Sequence, residues 1–479
     1  EFTQAAFDTG DGTDGPLTVS AADTVVNSYT YLTGNETAST ATITVNDASA
    51  FSANDEVLII QMQKSSGEVG QYEFADIDSK NGNDITLTSG LTNDYYSGTF
   101  NSTDASSTQI IRVPQYTSVT VNSGASITSS TWDGYSGGIV AFRATGTVTV
   151  TGSIFVAGKG YRGSTGVGWW NVNSGESING LGPGRLFTIN LGGGADGGAS
   201  GQAGGGGGGG FAEGPGGEGY GNSNGYSGRV GGEYNLNKFN FGSGGGGGGG
   251  GSTTSLGGNG GGIIFITANQ IDVTGAISSN GAIGGSATGL YSSGGGGGAG
   301  GAIYLIASNM ALGSNLVSSL GGSNGVGDYY NGGSGSTGRI GLDYDTISGT
   351  TNPTAYIFNN TPVINPITLE CTNNLTTEDI TVKDAATGGD VVTSDADGDD
   401  VKVIYNWKVN GTSITILNML FEKVNGTDTN NAKDYSGNGY NGTVVGADWG
   451  ATSGHDGKGA YTFNGTGSDY IQINDKDII

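Results

Sequence analysis

The chain has 479 residues, 98 of them glycine, and its 17 Lys and Arg against 43 Asp and Glu give a net charge of -26. That charge repels nucleic acid and anionic membrane surfaces over the whole length, which excludes nucleic acid as a partner. One cysteine, Cys371, and one histidine, His455, leave no internal disulfide, no Cys/His zinc cluster and no conventional catalytic triad.

Residues 1–115 open with Glu-Phe-Thr, which reads either as the mature end of an exported protein or as a cloning remnant. The segment then alternates β-branched runs such as "ATITVND", "DEVLIIQMQ" and "TQIIRVPQY" with Gly, Asn, Asp and Ser, the pattern of an N-terminal β domain. Amphipathic helical spacing is not sustained there or along nearly all of the chain. No apolar run approaches the roughly 18–20 residues that span a bilayer, so no membrane insertion is expected.

Residues 116–350 carry a repeat. GGIVAFRA at 137–144, GGIIFITA at 261–268, GGAIYLIA at 300–307 and the shorter GRIGLDY at 338–344 each join glycine to an apolar strand. In the first three a polar break, a second alternating strand and a Gly-rich turn follow. Counted from Gly138, Gly262, Gly301 and Gly338, the copies start 124, 39 and 37 residues apart. A repeating β-coil of this kind predicts a β-solenoid or β-helix-like core in an all-β protein.

Glycine blocks at 204–210, 244–251 and 294–298 recur in register with these strands. A flexible Gly/Ser tether has no reason to do so. Phe211, Tyr220, Tyr226, Phe239, Phe241 and Tyr291 interleave with the blocks and need something to pack against. The reading adopted is ordered polyglycine in polyproline-II rods, which lack side chains and so approach closely enough to hydrogen-bond.

The stretch 110–164, the glycine blocks and the GGxIxxxA repeats together resemble the glycine-rich modules of large secreted or surface proteins of bacteria and archaea. This resemblance covers Phe7 to about Thr350 and implies a surface location more than an activity. Residues 351–419 read as a small flanking β-sandwich with Trp407 in its core, and "ATGGDVVTSDADGDDVKVIYNWKVNGT" (386–412) looks like the Ig-like repeats of the same class. Residues 420–479 look like the start of a concanavalin-like laminin-G jelly roll, marked by "DYSGNG" from Asp434 and "AYTFNG" from Ala460. A complete jelly roll of that kind takes well over 100 residues, so this module is expected to be incomplete.

Asp395, Asp397 and Asp399 sit in "DADGDD", where alternate carboxylates beside a glycine turn converge on a hard cation. They are the expected metal ligands, for Ca²⁺, against the alternative of a solvated acidic turn. "DTGDGTDG" (8–15) is a weaker case of the same kind. Export implies surface glycosylation at the N-x-S/T sites Asn35, Asn101, Asn359, Asn374, Asn410, Asn425, Asn441 and Asn464, although composition alone produces about that many. Arg143, Lys159 and Arg162 read either as an acidic-sugar site or as charges on a solvated face, and Trp169-Trp170 as a sugar-stacking or a packing pair. No spacing among the carboxylates singles out a catalytic pair.

The leading expectation is a non-enzymatic extracellular structural subunit of a cell-surface filament, sheath or layer. It would assemble with copies of itself through β-strand contacts, with "EFTQAAF" and the incomplete jelly roll supplying edges. The alternative is a surface adhesin that binds glycans, and a polysaccharide-active enzyme stands third.

Overall fold

The computed structural model describes residues 7–64, 69–98, 106–164, 175–178, 236, 238–249, 255–358, 363–364, 367–370, 381–384, 393–394, 408–409, 412–413, 419–423, 431–434, 436, 440–450, 460–463 and 469–473. These residues are all-β, without a helix. The chain divides into two compact units, Glu1–Thr361 and Pro362–Ile479.

The first unit begins with β1 (Gly15–Val19) and β2 (Thr24–Val25). Six antiparallel strands follow: β3 (Tyr29–Tyr31), β4 (Thr42–Thr44), β5 (Glu56–Gln63), β6 (Tyr72–Asn81), β7 (Asp84–Leu87) and β8 (Ser107–Arg112). Then come β9 (Gln115–Val121), β10 (Ser126–Thr128), β11 (Ile139–Val150), β12 (Ser153–Phe155), β13 (Ile263–Val273) and β14 (Ala276–Ser278). β15 (Ala302–Ser318), β16 (Arg339–Asn352) and β17 (Tyr356–Ile357) complete it.

β1, β9, β11, β13, β15 and β16 lie side by side in parallel, and β2, β10, β12 and β14 form a second limb that rejoins β15. The chain therefore passes through one large parallel sheet in successive coils. The glycine-led repeats are its rungs: Val140, Ile264, Ile303 and Ile340 stack in one column, and Phe142, Ile266, Leu305 and Leu342 in the next. Both columns are buried in the main core, where each such side chain contributes roughly 1.5–3 kcal/mol. The alternate residues Ile139, Ala141, Ile263 and Phe265 are buried on the other face. Burial on both faces explains why these strands read as continuous apolar runs.

The sequence boundary at residue 115 shifts accordingly. β1 and β2 belong to the parallel sheet, pairing with β9 and β10, because Leu17 and Val19 extend its columns. What lies between them is inserted. Its strands run in the order β3-β8-β5-β6-β7-β4, and the Thr33 and Asn46 amides close the ends by bonding the Thr44 and Tyr31 carbonyls at 3.1 and 2.9 Å. The N-terminal β domain is thus a closed antiparallel barrel around Ile43, Phe51, Ile59 and Tyr95; closure removes the edges of strands as short as three residues. β5 is buried throughout because Val57 and Ile59 face the barrel while Leu58, Ile60 and Met62 pack on the coils with Phe239 and Phe241.

The glycine-rich connections form a bonded bundle. Along 294–301 every amide donates to another segment, with a period of three. Gly294, Gly297 and Gly300 bond Tyr330, Gly333 and Ser336; Gly295, Gly298 and Gly301 bond Gly285, Ala282 and Ser279; Gly296 and Ala299 bond Gly246 and Ser243, all at 2.8–2.9 Å. One neighbour thus runs parallel and two antiparallel. Neighbouring backbones leave no room for a side chain: a Cβ at Gly260 would run into the Gly242 carbonyl oxygen, and one at Gly335 into that of Gly298.

In the second unit, Met419–Lys423, Asn431–Asp434, Gly442–Val445 and Tyr470–Ile473 form a four-stranded antiparallel sheet, and Asp448–Gly450 pairs with Ala460–Thr462. Ala432, Val444 and Tyr461 are its buried core. The buried Asp434 carboxylate organises the turn after its strand, accepting from the Ser436 amide and hydroxyl and the Tyr440 amide at 2.7–3.0 Å.

Candidate binding surface

Three-residue periodicity determines which side chains the bundle shows to solvent. In segment 279–287 the amides of Gly281, Gly284 and Ala287 bond Leu320, Ser323 and Val326, and those of Ala282 and Gly285 bond Asn259 and Leu256. Of the remaining third, Ile283 and Ser286 are exposed and Asn280 is half-buried. Leu256 and Val326 occupy the corresponding outward positions of the two flanking segments. Among the described residues of the first unit eight large apolar side chains are exposed, and six belong to this region: Leu256, Ile283, Leu290, Tyr291, Val326 and Tyr329. Six exposed apolar side chains concentrated in one region of a chain dominated by Gly, Ser and Asn make this region the candidate interaction surface.

Two loops at the end of the bundle carry the aromatic part. Gly289 to Ser292 is a turn closed by the Ser292 amide on the Gly289 carbonyl at 3.1 Å. The Asp328 carboxylate accepts from the Gly289 amide at 2.7 Å, the Ser292 hydroxyl accepts from the Asp328 amide at 3.1 Å, and the Tyr329 and Gly294 amides bond the Ser292 and Tyr330 carbonyls at 3.2 and 2.8 Å. These bonds join the loops 286–293 and 327–330. The Tyr291 and Tyr329 rings lie 5.2 Å apart at 34°, with Tyr330 6.3 Å beyond Tyr329.

Tyr291 has φ +64. A left-handed conformation costs a residue with a Cβ about 1–2 kcal/mol. Glycine is the residue that this backbone favours, and the chain uses it almost everywhere nearby, so a tyrosine held there points to a role for its ring. The sequence reading placed Tyr291 with Phe239 and Phe241 as a packing aromatic. The two phenylalanines are buried; Tyr291 is not.

The other expected sites divide differently. Arg143 is buried rather than on a solvated face, whereas the Arg162 side chain is 38% exposed. Arg143 makes two 2.7 Å bonds to the buried Glu56 and lies 4.7 Å over the Phe74 ring. Burial opposes its charge, but the hydrogen bonds to Glu56 together with the charges of Glu56, Asp8 and Asp76 outweigh this and hold the guanidinium above its ordinary value. Arg162 donates through Nε and Nη2 to the buried Glu176, which also accepts from Gln63 and Trp132. Lys159 bonds the Thr131 hydroxyl at 3.3 Å. Asp8 and Asp14, offered as cation ligands, face Arg143 and Arg112 at 3.4 and 2.6 Å.

Asn35 and Asn441 are exposed, and each side-chain oxygen accepts a backbone amide, from Ser97 and Asp434. Asp395, Asp397, Asp399, Asn101, Asn359, Asn374, Asn410, Asn425, Asn464, Trp169-Trp170, Trp407 and His455 lie outside the described residues. No helix among the described residues is long and apolar enough to cross a membrane.

No family model matches the chain, and no curated protein matches it. Two solved structures align with it. The gp54 tailspike of Acinetobacter baumannii bacteriophage AP22, in complex with A. baumannii capsular saccharide, is 12% identical over 72% of this chain and 62% of that one, with a TM-score of 0.17. The tailspike protein gp49 from Pseudomonas phage LKA1 is 8% identical over 74% of this chain and 75% of that one, with a TM-score of 0.15. Scores this low carry no argument about function, which rests on the chain's own residues.

Proposed function

We propose that the chain is an extracellular, non-enzymatic recognition protein: a β-solenoid stiffened by polyproline-II glycine rods that present the Tyr291/Tyr329 tip to another surface. The observation that carries this reading is the strained, exposed Tyr291 beside Tyr329 on two bonded loops. Bonds that recur every third residue match the three residues per turn of polyproline II. Rods bonded in three directions make a stiff support, and glycine is ordered only where such bonding offsets its entropy, about 0.5–1 kcal/mol per residue beyond alanine. Calcium at Asp395, Asp397 and Asp399 belongs to this reading as a brace of the second unit, so a chelator should lower that unit's melting temperature.

The test is attachment of the labelled chain to intact bacterial and archaeal cells. Tyr291→Ala and Tyr329→Ala chains that fold but no longer attach support the recognition tip. Attachment that both variants retain contradicts it.

A filament subunit is the second reading, favoured by one observation. Among the described residues no strand pairs with the far edge of β1 or of β2, and Val25 on β2 is 44% exposed. An edge of that kind accepts a strand from a neighbouring copy. Electron microscopy of the purified chain at rising ionic strength, which screens the net charge of -26, should then show filaments; single particles under all conditions contradict this reading.

A further inference from the structure

We infer that Tyr291 and Tyr329 form a stacking platform for the apolar face of an uncharged sugar ring, with the Asp328 carboxylate accepting a hydrogen bond from a hydroxyl of the same sugar. This rests on the recognition-tip reading and names its ligand.

The geometry selects a face, not a slot. With centroids 5.2 Å apart and planes tilted by 34°, the two rings touch each other and leave no gap for a third ring between them. A ligand must lie across them, as the C–H face of a pyranose lies on an aromatic surface. Rigid tyrosines give such contact at little conformational cost. Asp328 adds a polar anchor beside the platform. Its Oδ2 is engaged by the Gly289 amide at 2.7 Å, which orients the carboxylate and leaves Oδ1 to accept from a hydroxyl.

Charge then narrows the class. Asp328 and the net charge of -26 repel uronates, sialic acids and phosphorylated glycans. The neighbouring outward positions hold Ser286, Ser323 and the aliphatic Leu256, Ile283 and Val326, none of them charged. A proline-rich peptide also stacks on tyrosine, but it is read in grooves between aromatic ridges, and two rings in mutual contact leave no groove between them.

The experiment measures binding of the full chain to soluble mannan, dextran and galactan, to polygalacturonate and alginate, and to a polyproline peptide, by titration calorimetry. The variants are Tyr291→Ala, Tyr329→Ala, Tyr329→Phe and Tyr291→Gly. Tyr291→Gly accepts the φ of +64 without strain, so it removes the ring while keeping the turn. The expected result is binding to at least one uncharged polymer and none to the uronates. Tyr329→Phe should bind as the parent does, and each ring deletion should weaken binding about tenfold or more.

Binding that the ring deletions leave unchanged overturns the inference, as does a preference for uronates or for polyproline. If no polymer binds while attachment to cells still depends on Tyr291 and Tyr329, the sugar is wrong and the recognition tip stands. If attachment is also independent of these residues, both fall.

Discussion

Arg143 shows how a single residue can be read correctly in its surroundings and wrongly in its role. Its neighbourhood to Lys159 and Arg162 is plain in "AFRATGTVTVTGSIFVAGKGYRG", but its partner, Glu56, is 87 residues away on the inserted barrel. Both side chains are buried, so removing the Glu56 charge leaves the guanidinium facing only the exposed Asp8 carboxylate, at 3.4 Å. Glu56→Gln should destabilise the first unit by about 3–5 kcal/mol in denaturant titration; a loss within about 0.5 kcal/mol, the size of a surface change, would contradict the assignment. Asp343 makes the opposite prediction. Burial first, and then the Asp345 charge, hold its carboxyl above the ordinary range, and its Oδ1 is buried without a hydrogen-bond partner. The native state therefore binds this proton more tightly than the unfolded chain does. The stabilisation is complete below the ordinary carboxylate range and is lost as pH rises through the raised value. Asp343→Asn should raise the melting temperature at neutral pH and flatten its fall as pH rises above the ordinary carboxylate range. An unchanged pH slope would count against it.

At the scale of the element, the glycine-led strands were legible because each rung repeats one pattern, and their pairing follows it: Gly262 and Gly301 open strands whose residues stand opposite one another from Ile263↔Ala302 onward. The coil made by β1 and β2 was not. "GPLTVSAADTVV" lacks the glycine pair, and the barrel strands separate it from β9. Nor could the tip be read, since the outward positions follow from the three-way bonding of rods that are distant in sequence. The period of three in Ile283 and Ser286 was its one local signal, and glycine around them gives that period no contrast. The bundle itself predicts an unusual response to alanine. Gly260→Ala and Gly335→Ala place a methyl group where a neighbouring carbonyl sits. Each should cost more than the 1–3 kcal/mol of ordinary overpacking, because backbone rather than side chain must move. Gly34→Ala, where a Cβ meets nothing within 4 Å, is the control and should be neutral within about 0.5 kcal/mol. Equal effects at all three positions would mean that the segments do not pack as described.

At the scale of the molecule, the first unit joins three constructions: a parallel sheet traversed in coils, an inserted barrel that covers one face of it, and a glycine bundle that bonds its returning connections. The barrel and the coils share a core through Leu58, Ile60, Met62, Phe239 and Phe265, so they are expected to unfold together. Among the described residues the bundle has no comparable apolar core of its own. Its persistence depends on backbone hydrogen bonds, and the stiffness of the tip depends on the bundle. Amide hydrogen exchange of the purified chain, resolved to 257–261 and 294–301, tests this most directly. The account predicts exchange at these glycines as slow as in β13 and β15, with protection rising and falling together. Exchange at the rate of an unfolded glycine peptide, while β13 and β15 stay protected, would contradict it.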